Sequence, residues 1–278
     1  VKKDAICDVS MEWLDRGITV LSETPAALDM DSLNKLYSYY KCGKKQVVAE
    51  QYREYPNIKA SLKLINEGII GDVSCANVSL AHAFLGVKPG EKYVVSAKTY
   101  EFPTTQTLTR YDKFTDGRIA GKKRCVATFE FESGKVAWYD FDSEQYRSPI
   151  RKNTLKVQGV RGELIDECVY YLDENNEGQT GRIITDSHVI NTGNSNPNFE
   201  KIREIKKISF NNKIIYEPEF GLCGLSEDET AIAVMMKNTA EYSRGNASAP
   251  YSMEDALADA YAAILLKKAV ETGEVVHS

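Results

Sequence analysis

The chain is most informative in what it has little of. No apolar run approaches the roughly 20 residues needed to span a bilayer, which sets a membrane protein aside. Lysine and arginine are scattered, and the net charge is -5, so there is no basic stripe to track a phosphate backbone and nucleic acid is not an expected partner. The three histidines, His82, His188 and His277, show no ligand spacing, and no protein-bound metal is expected. Six cysteines, Cys7, Cys42, Cys75, Cys125, Cys168 and Cys223, form no C-x-x-C pair; they read as reduced cytoplasmic thiols with packing roles. A strand followed by G-x-G-x-x-G and a helix, which lets backbone amides reach a pyrophosphate, is also missing. Gly117 and Gly121 have neither the spacing nor the setting, and residues 117–121 read as a loop.

What is present is a soluble, globular composition, 42% hydrophobic and 27% charged, over 278 residues, enough for two domains. Residues 4–7 read as a short strand and residues 11–16 as the end of a helix stopped by Gly17. Residues 18–21 form the next strand. A parallel crossover between these two strands needs a dozen or more residues, and residues 8–17 offer ten. Residues are therefore expected to be missing between Ser10 and Met11. The start at Val1, with neither methionine nor a signal pattern, reads as an internal point of a longer chain.

Asp29 to Ser32 starts a helix whose Leu33, Leu36, Tyr37 and Tyr40 recur at helical spacing, with Gly43 past its end. Residues 46–50 read as a strand. Pro56 suits a first helical position, Ile58, Leu62 and Ile65 form a buried stripe, and Gly68 ends that helix before a strand over residues 73–80. From Tyr93 the pattern changes to alternation. Cys125, Ala127, Phe129 and Phe131 share one face, Thr128, Glu130 and Glu132 the other, and Ser133-Gly134 turns into a strand over residues 136–141. Strands over 155–159 and 162–165 follow, loops over 175–180 and 191–198, and a hairpin at Asn211-Asn212. Ser226 with Glu229 opens a helix burying Ile232, Met236 and Tyr242, and Ser252 with Asp255 opens another through Leu257, Tyr261, Ile264 and Leu265. Strands followed by helices mean an α+β second part.

The order strand, Glu23-Thr24-Pro25, helix, strand, Tyr52-Arg53-x-x-Pro56, helix and Gly68-x-Ile70-Gly71-Asp72-Val73 resembles the Gfo/Idh/MocA family, glucose-fructose oxidoreductase and inositol dehydrogenase among its members. The Gly159-Val160-Arg161-Gly162-Glu163 turn and the final Met253-Glu254-Asp255-Ala256-Leu257 helix extend the resemblance along the chain. It implies the C-terminal part of a Rossmann domain over residues 1–70. An open, mainly antiparallel sheet with flanking helices follows over 71–278, so that the fold class is α/β plus α+β. It further implies an NAD- or NADP-dependent oxidoreductase acting on a sugar, sugar derivative or cyclitol, and a homodimer or homotetramer.

The family's turn reads Glu-Lys-Pro, and Thr24 stands where the lysine would be. The resemblance assigns Glu23, Thr24, Pro25, Gln51 and Arg53 to the cofactor, and Tyr52 or His82 to the hydroxyl proton; Lys98, which alternates with Tyr100 on a strand, is a further candidate for that proton. His82 falls where the family's second part places its catalytic histidine, but residues 80–86 are short and carry no carboxylate, so a deletion near residues 82 and 83 is expected. The alternative is a non-catalytic relative kept as a carbohydrate-binding or oligomerisation module. Missing lysine, missing local carboxylate and missing glycine motif all point to it.

Overall fold

The computed structural model describes residues 2–77, 81–107, 115–142, 150, 154–194 and 200–278. A 3-10 turn over Lys3–Ala5 runs directly into helix α1, Ile6–Asp15, which buries Ile6, Cys7, Ser10 and Leu14 along one face. This corrects the sequence reading: residues 4–7 are not a strand. A continuous helix through Ser10 and Met11 also removes the crossover that seemed too short. Gly17, at φ 76°, ends the helix as expected, with its N–H and that of Ile18 donating to the carbonyls of Leu14 and Trp13.

Strand β1, Val20–Ser22, then leads through the cis Thr24–Pro25 bond into α2, Met30–Lys41. Asp29 caps α2, its side chain accepting from the N–H of Ser32 at 2.8 Å. Strand β2, Gln46–Val48, pairs parallel with β1, and the Gln46 amide donates to the Ser22 hydroxyl at 3.0 Å inside the protein. A 3-10 turn, Gln51–Glu54, and helix α3, Pro56–Asn66, follow. Leu33, Leu36 and Ile65 are buried as their spacing predicts, whereas Tyr37 is about half exposed and Ile58 and Leu62 are half-buried.

The rest of the chain builds one large sheet. In chain order the elements are β3 (Val73–Asn77), α4 (Ala81–Leu85), β4 (Tyr93–Thr107), β5 (Thr115–Phe131), β6 (Val136–Asp142), β7 (Lys156–Gly159), β8 (Gly162–Ile165), β9 (Cys168–Leu172), β10 (Gly178–Asn191), β11 (Lys201–Phe210), β12 (Lys213–Tyr216), α5 (Glu227–Arg244), α6 (Met253–Thr272) and β13 (Val276–His277). The strand order is β12-β11-β10-β9-β8-β7-β3-β6-β5-β4-β13. Only β3 with β6 is parallel among the described pairs of this sheet, so it is mixed but mainly antiparallel.

Turn chemistry explains several joints. Asn211 and Asn212 both have positive φ, 47° and 63°, and form the two-residue hairpin between β11 and β12. Gly134 at φ 81° turns β5 into β6. At Gly162 the need is space: a Cβ there would collide with the backbone carbonyl oxygen of Tyr170 on the neighbouring strand.

Further expectations change here. Residues 117–121 are not a loop but part of β5, with Ala120 opposite Thr104 on β4. Residues 178–180 and Asn191 belong to β10. Residues 78–80 of the expected strand 73–80, and 195–198 of the expected loop 191–198, lie outside the described residues. Helix α5 has the expected Ser226–Glu229 capping box but buries Thr230, Ala231, Val234, Met235 and Thr239, while Ile232 and Met236 are exposed. All six cysteines are free, and Cys42 and Cys223 are exposed rather than packed.

Two apolar clusters hold the molecule. One joins Cys7, Ala26, Ala27, Leu33, Leu36 and Val48 to Tyr251, Met253, Ala256, Leu257 and Ala260. The other joins α3, α4 and Leu265 and Ala269 of α6 to one sheet face, where Val95, Ala137, Val157, Leu164 and Val169 lie. Helix α6 therefore contributes its first turns to one core and its last turns to the other.

Candidate functional site

The C-terminal ends of β1 and β2 lie side by side, because the N–H of Ala49 donates to the Ser22 carbonyl at 2.7 Å. In parallel sheets ligands gather at such ends. Glu23 is exposed there, Thr24 and Pro25 are half-buried, and Gln51 follows Glu50 into the 3-10 turn. Glu50, which the sequence reading passed over, has its carboxyl pushed up to about 7 by burial and then by the charge of Asp259, with Arg53 pulling the other way.

Arg53 reaches across to the segment before α6. Its guanidinium lies over the Tyr251 ring, and Nη1 is 3.9 Å from Asp255 Oδ2. Ser252 caps α6, accepting from the N–H of Asp255 at 3.0 Å, and its hydroxyl donates to the Asp255 carboxylate at 2.7 Å. Asp259 sits one turn on from Asp255, on the same helix side.

The carboxylate of Asp259 is shared. One oxygen meets Nδ1 of His82 from α4, and the other accepts from the hydroxyl of Tyr251. His82 is mostly buried, with its ring edge towards Phe131. Burial alone would lower its pKa, but the hydrogen bond and charge of Asp259, with Asp255 behind it, outweigh burial and raise it. The Tyr251 phenol is raised by burial and by Asp259. Nearby on β4, the buried hydroxyl of Tyr93 has no hydrogen-bond partner among the described residues.

The residues singled out from sequence thus separate. The structure brings Arg53 and His82 into one cluster through Asp255, Asp259 and Tyr251. Tyr52 lies in the same 3-10 turn as Arg53, with its ring 5.2 Å from that of Tyr55. Lys98 is not brought to His82: on β4 the residues Tyr93 and Val95 face the helices, while exposed Lys98, over the ring of Tyr100, points from the other face. Glu50, Tyr251, Asp255 and Asp259 are the members that sequence reasoning missed. Two carboxylates four apart, bordered by buried Ala256, Leu257 and Ala260, were the available signal. His82 lies on the short helix α4, and its carboxylate partner comes from α6.

A groove of about 430 Å³ begins at Arg53 and follows α3 past Lys59, Lys63 and Glu67, with Pro250 on its rim. Among the described residues no group of three or more metal-ligating side chains is placed to hold an ion. No described helix is long and apolar enough to cross a membrane.

A small parallel pair flanked by helices is joined to a large, mainly antiparallel sheet. Known structures share it. A protein designated a myo-inositol dehydrogenase from Sinorhizobium meliloti 1021 superimposes with a TM-score of 0.61 at 16% identity, over 99% of this chain and 78% of that one. An oxidoreductase from Agrobacterium radiobacter, in complex with NAD+, L-tartaric acid and magnesium, gives 0.60 at 10% identity over 99% and 78%. Aldose-aldose oxidoreductase from Caulobacter crescentus, complexed with glycerol, gives 0.56 at 15% over 99% and 76%. These likenesses show that the chain shares the fold of those proteins, in keeping with its resemblance to the Gfo/Idh/MocA family. No protein-family model and no curated protein sequence matches the chain.

Proposed function

We propose that the chain is an oxidoreductase of the Gfo/Idh/MocA type, acting on a sugar, sugar derivative or cyclitol with NAD or NADP. Residues 1–70 form its nucleotide-domain part and residues 71–278 its substrate part. The observation that carries this reading is the position of His82. It follows the first strand of the large sheet and shares one polar cluster with Glu50 and Arg53, which lie just beyond a parallel strand end.

The fit of the cofactor to these residues is partial. Glu23, Thr24, Pro25, Gln51 and Arg53 surround the strand ends where a nicotinamide ring would lie, whereas no glycine-rich strand-to-helix turn is found among the described residues to grip a pyrophosphate. The cofactor would supply the hydride acceptor. The chain's own part is to orient a hydroxyl-bearing substrate and move its proton. Neutral His82 takes the hydroxyl proton at Nε2 during oxidation, and its protonated form returns it during reduction. Thr24 offers a hydrogen bond but no charge, so the cationic role falls to the histidine, whose raised pKa suits it. Tyr52, in the 3-10 turn with Arg53, is the second hydroxyl contact of this reading.

Self-association belongs to this reading. Opposite the helix-covered sheet face, Tyr100, Val126, Trp138, Tyr170 and Ile184 are exposed. A second copy is the occupant that fits, since two open sheets can bury such faces against one another. Six unpaired thiols accord with a cytoplasmic setting.

The second reading, a non-catalytic carbohydrate-binding or oligomerisation module, is favoured by Thr24 and by the partial cofactor fit. Titration with NADH and NADPH, followed by energy transfer from tryptophan, separates the two. Binding together with turnover of a hexose or cyclitol supports the enzyme. No binding at millimolar cofactor and no turnover overturns it in favour of the module.

A further inference from the structure

We infer that Asp259, delivered by the terminal helix α6, is the positioning residue for His82, and that the hydroxyl of Tyr251 braces it. This rests on the reading of His82 as the proton-handling group and adds what fixes that group in place. Helix α4 has five residues and supplies no carboxylate of its own. The partner comes instead from 177 residues further along the chain.

The geometry determines the ring's chemistry. With Nδ1 against one Asp259 oxygen, the ring proton of the neutral tautomer is held on Nδ1, and Nε2 is left as the nitrogen that exchanges a proton with a ligand. The second oxygen is occupied by the Tyr251 hydroxyl, so the carboxylate cannot rotate away without losing both bonds. Tyr251 is itself fixed, being 3% exposed and lying beneath the Arg53 guanidinium. The other charged or titratable groups facing the pair are Glu50 and Arg53 beyond β2, Asp255 on α6 and Tyr93 on β4. The pattern of carboxylate, imidazole and free second nitrogen is the one by which proton-transfer histidines are oriented.

The test uses the whole chain labelled with 15N. Long-range imidazole proton–nitrogen spectra between pH 5 and 9 report the tautomer and midpoint of His82. In the unsubstituted protein the ring is expected to carry its proton on Nδ1 and to titrate above ordinary histidine. Asp259→Asn is expected to lower the midpoint by about one unit or more, because the neighbouring charge is gone. Tyr251→Phe, which leaves the helix charge untouched and guards against a folding failure of the first variant, is expected to raise it, since the carboxylate loses a competing donor. With turnover established, Asp259→Asn is expected to reduce kcat about 100-fold or more with KM nearly unchanged, and Asp259→Glu to restore part of it.

An unchanged tautomer and midpoint in both variants would overturn the inference. The spectra need no cofactor, so the two ideas fail separately. A protein without nicotinamide binding or turnover, whose His82 midpoint still falls in Asp259→Asn, refutes the oxidoreductase and retains the pairing.

Discussion

The guanidinium of Arg53 lies 5.2 Å from the centroid of the Tyr251 ring, joining the end of a parallel strand to the start of the last helix. This contact does two things. It holds two parts of the molecule together, and it places a fixed positive charge beside Glu50 and Asp255.

Replacing Arg53 by Met keeps much of the aliphatic packing and removes the charge. A loss of about 1 kcal/mol in urea unfolding is expected, the size of a partly exposed cation–π contact with a weak ion pair. Because Arg53 pulls the Glu50 carboxyl down, its midpoint should move above the present value of about 7, which carboxyl carbon NMR would show. A Glu50 midpoint that stays fixed would mean that the guanidinium does not act on it.

Glu50 itself makes stability depend on pH. Its folded pKa of about 7 lies above the ordinary 4.5, so the folded state binds the extra proton between those values. Its favourable contribution is complete below about 4.5 and is lost as pH rises through 7. Relative to the native protein, Glu50→Gln should therefore be more stable at pH 8, by up to about 3 kcal/mol, and little changed near pH 4.5. Urea midpoints at the two pH values test this. An equal effect at both would exclude a raised carboxyl.

Glu204 on β11 secures the loop before α5. It is 3% exposed, accepts from the N–H groups of Cys223 and Gly224 at 2.7 and 2.6 Å, and lies 3.2 Å from Nε2 of His188. Glu204→Gln keeps one acceptor but loses the charge that strengthens these bonds. A loss of about 1.5–3 kcal/mol is expected, with faster hydrogen exchange at the Cys223 and Gly224 amides. Unaltered exchange there would show that the loop does not depend on the carboxylate.

Trp138 tests the sheet-to-sheet contact. It stands on β6 opposite Thr128, with Val126 on the same outer face. In the pairing proposed above, Trp138→Glu would bury charge against a second copy. Sedimentation is expected to show a dimer or tetramer for the native chain and a monomer for the variant, with its circular dichroism unchanged. A native monomer would dismiss the pairing.

Much of the fold was legible because its signals are local. Asp29, Gly17, Ser226 and the two asparagines at 211 and 212 each fix backbone geometry within a few residues, and all act as their types predict. The opening helix was misread because Ala5, Ile6 and Cys7 suit either state. The burial of Cys7 in the cluster it shares with α2 and α6 is part of what decides the matter, and that is not local. Residues 117–121 look like a glycine loop until β4 supplies partners for Ile119, Ala120 and Gly121. The site shows the same division. Arg53 and His82 could be named from position along the chain, but Asp259 is joined to His82 only by folding. Nothing near His82 announces it.

Helix α6 is set in both apolar cores, with Met253 to Ala260 in one and Leu265 and Ala269 in the other. It works like a key cut at both ends. Each residue of sliding or miscounting in such a helix turns its side chains by about 100°. An insertion or deletion between Ala260 and Leu265 would leave each half able to satisfy its own core only by twisting the other out of register. The carboxylate that meets His82 would stay with the first half, and helix α4, which carries His82, with the second. The spacing between two greasy patches thus sets the distance between an acid and a base.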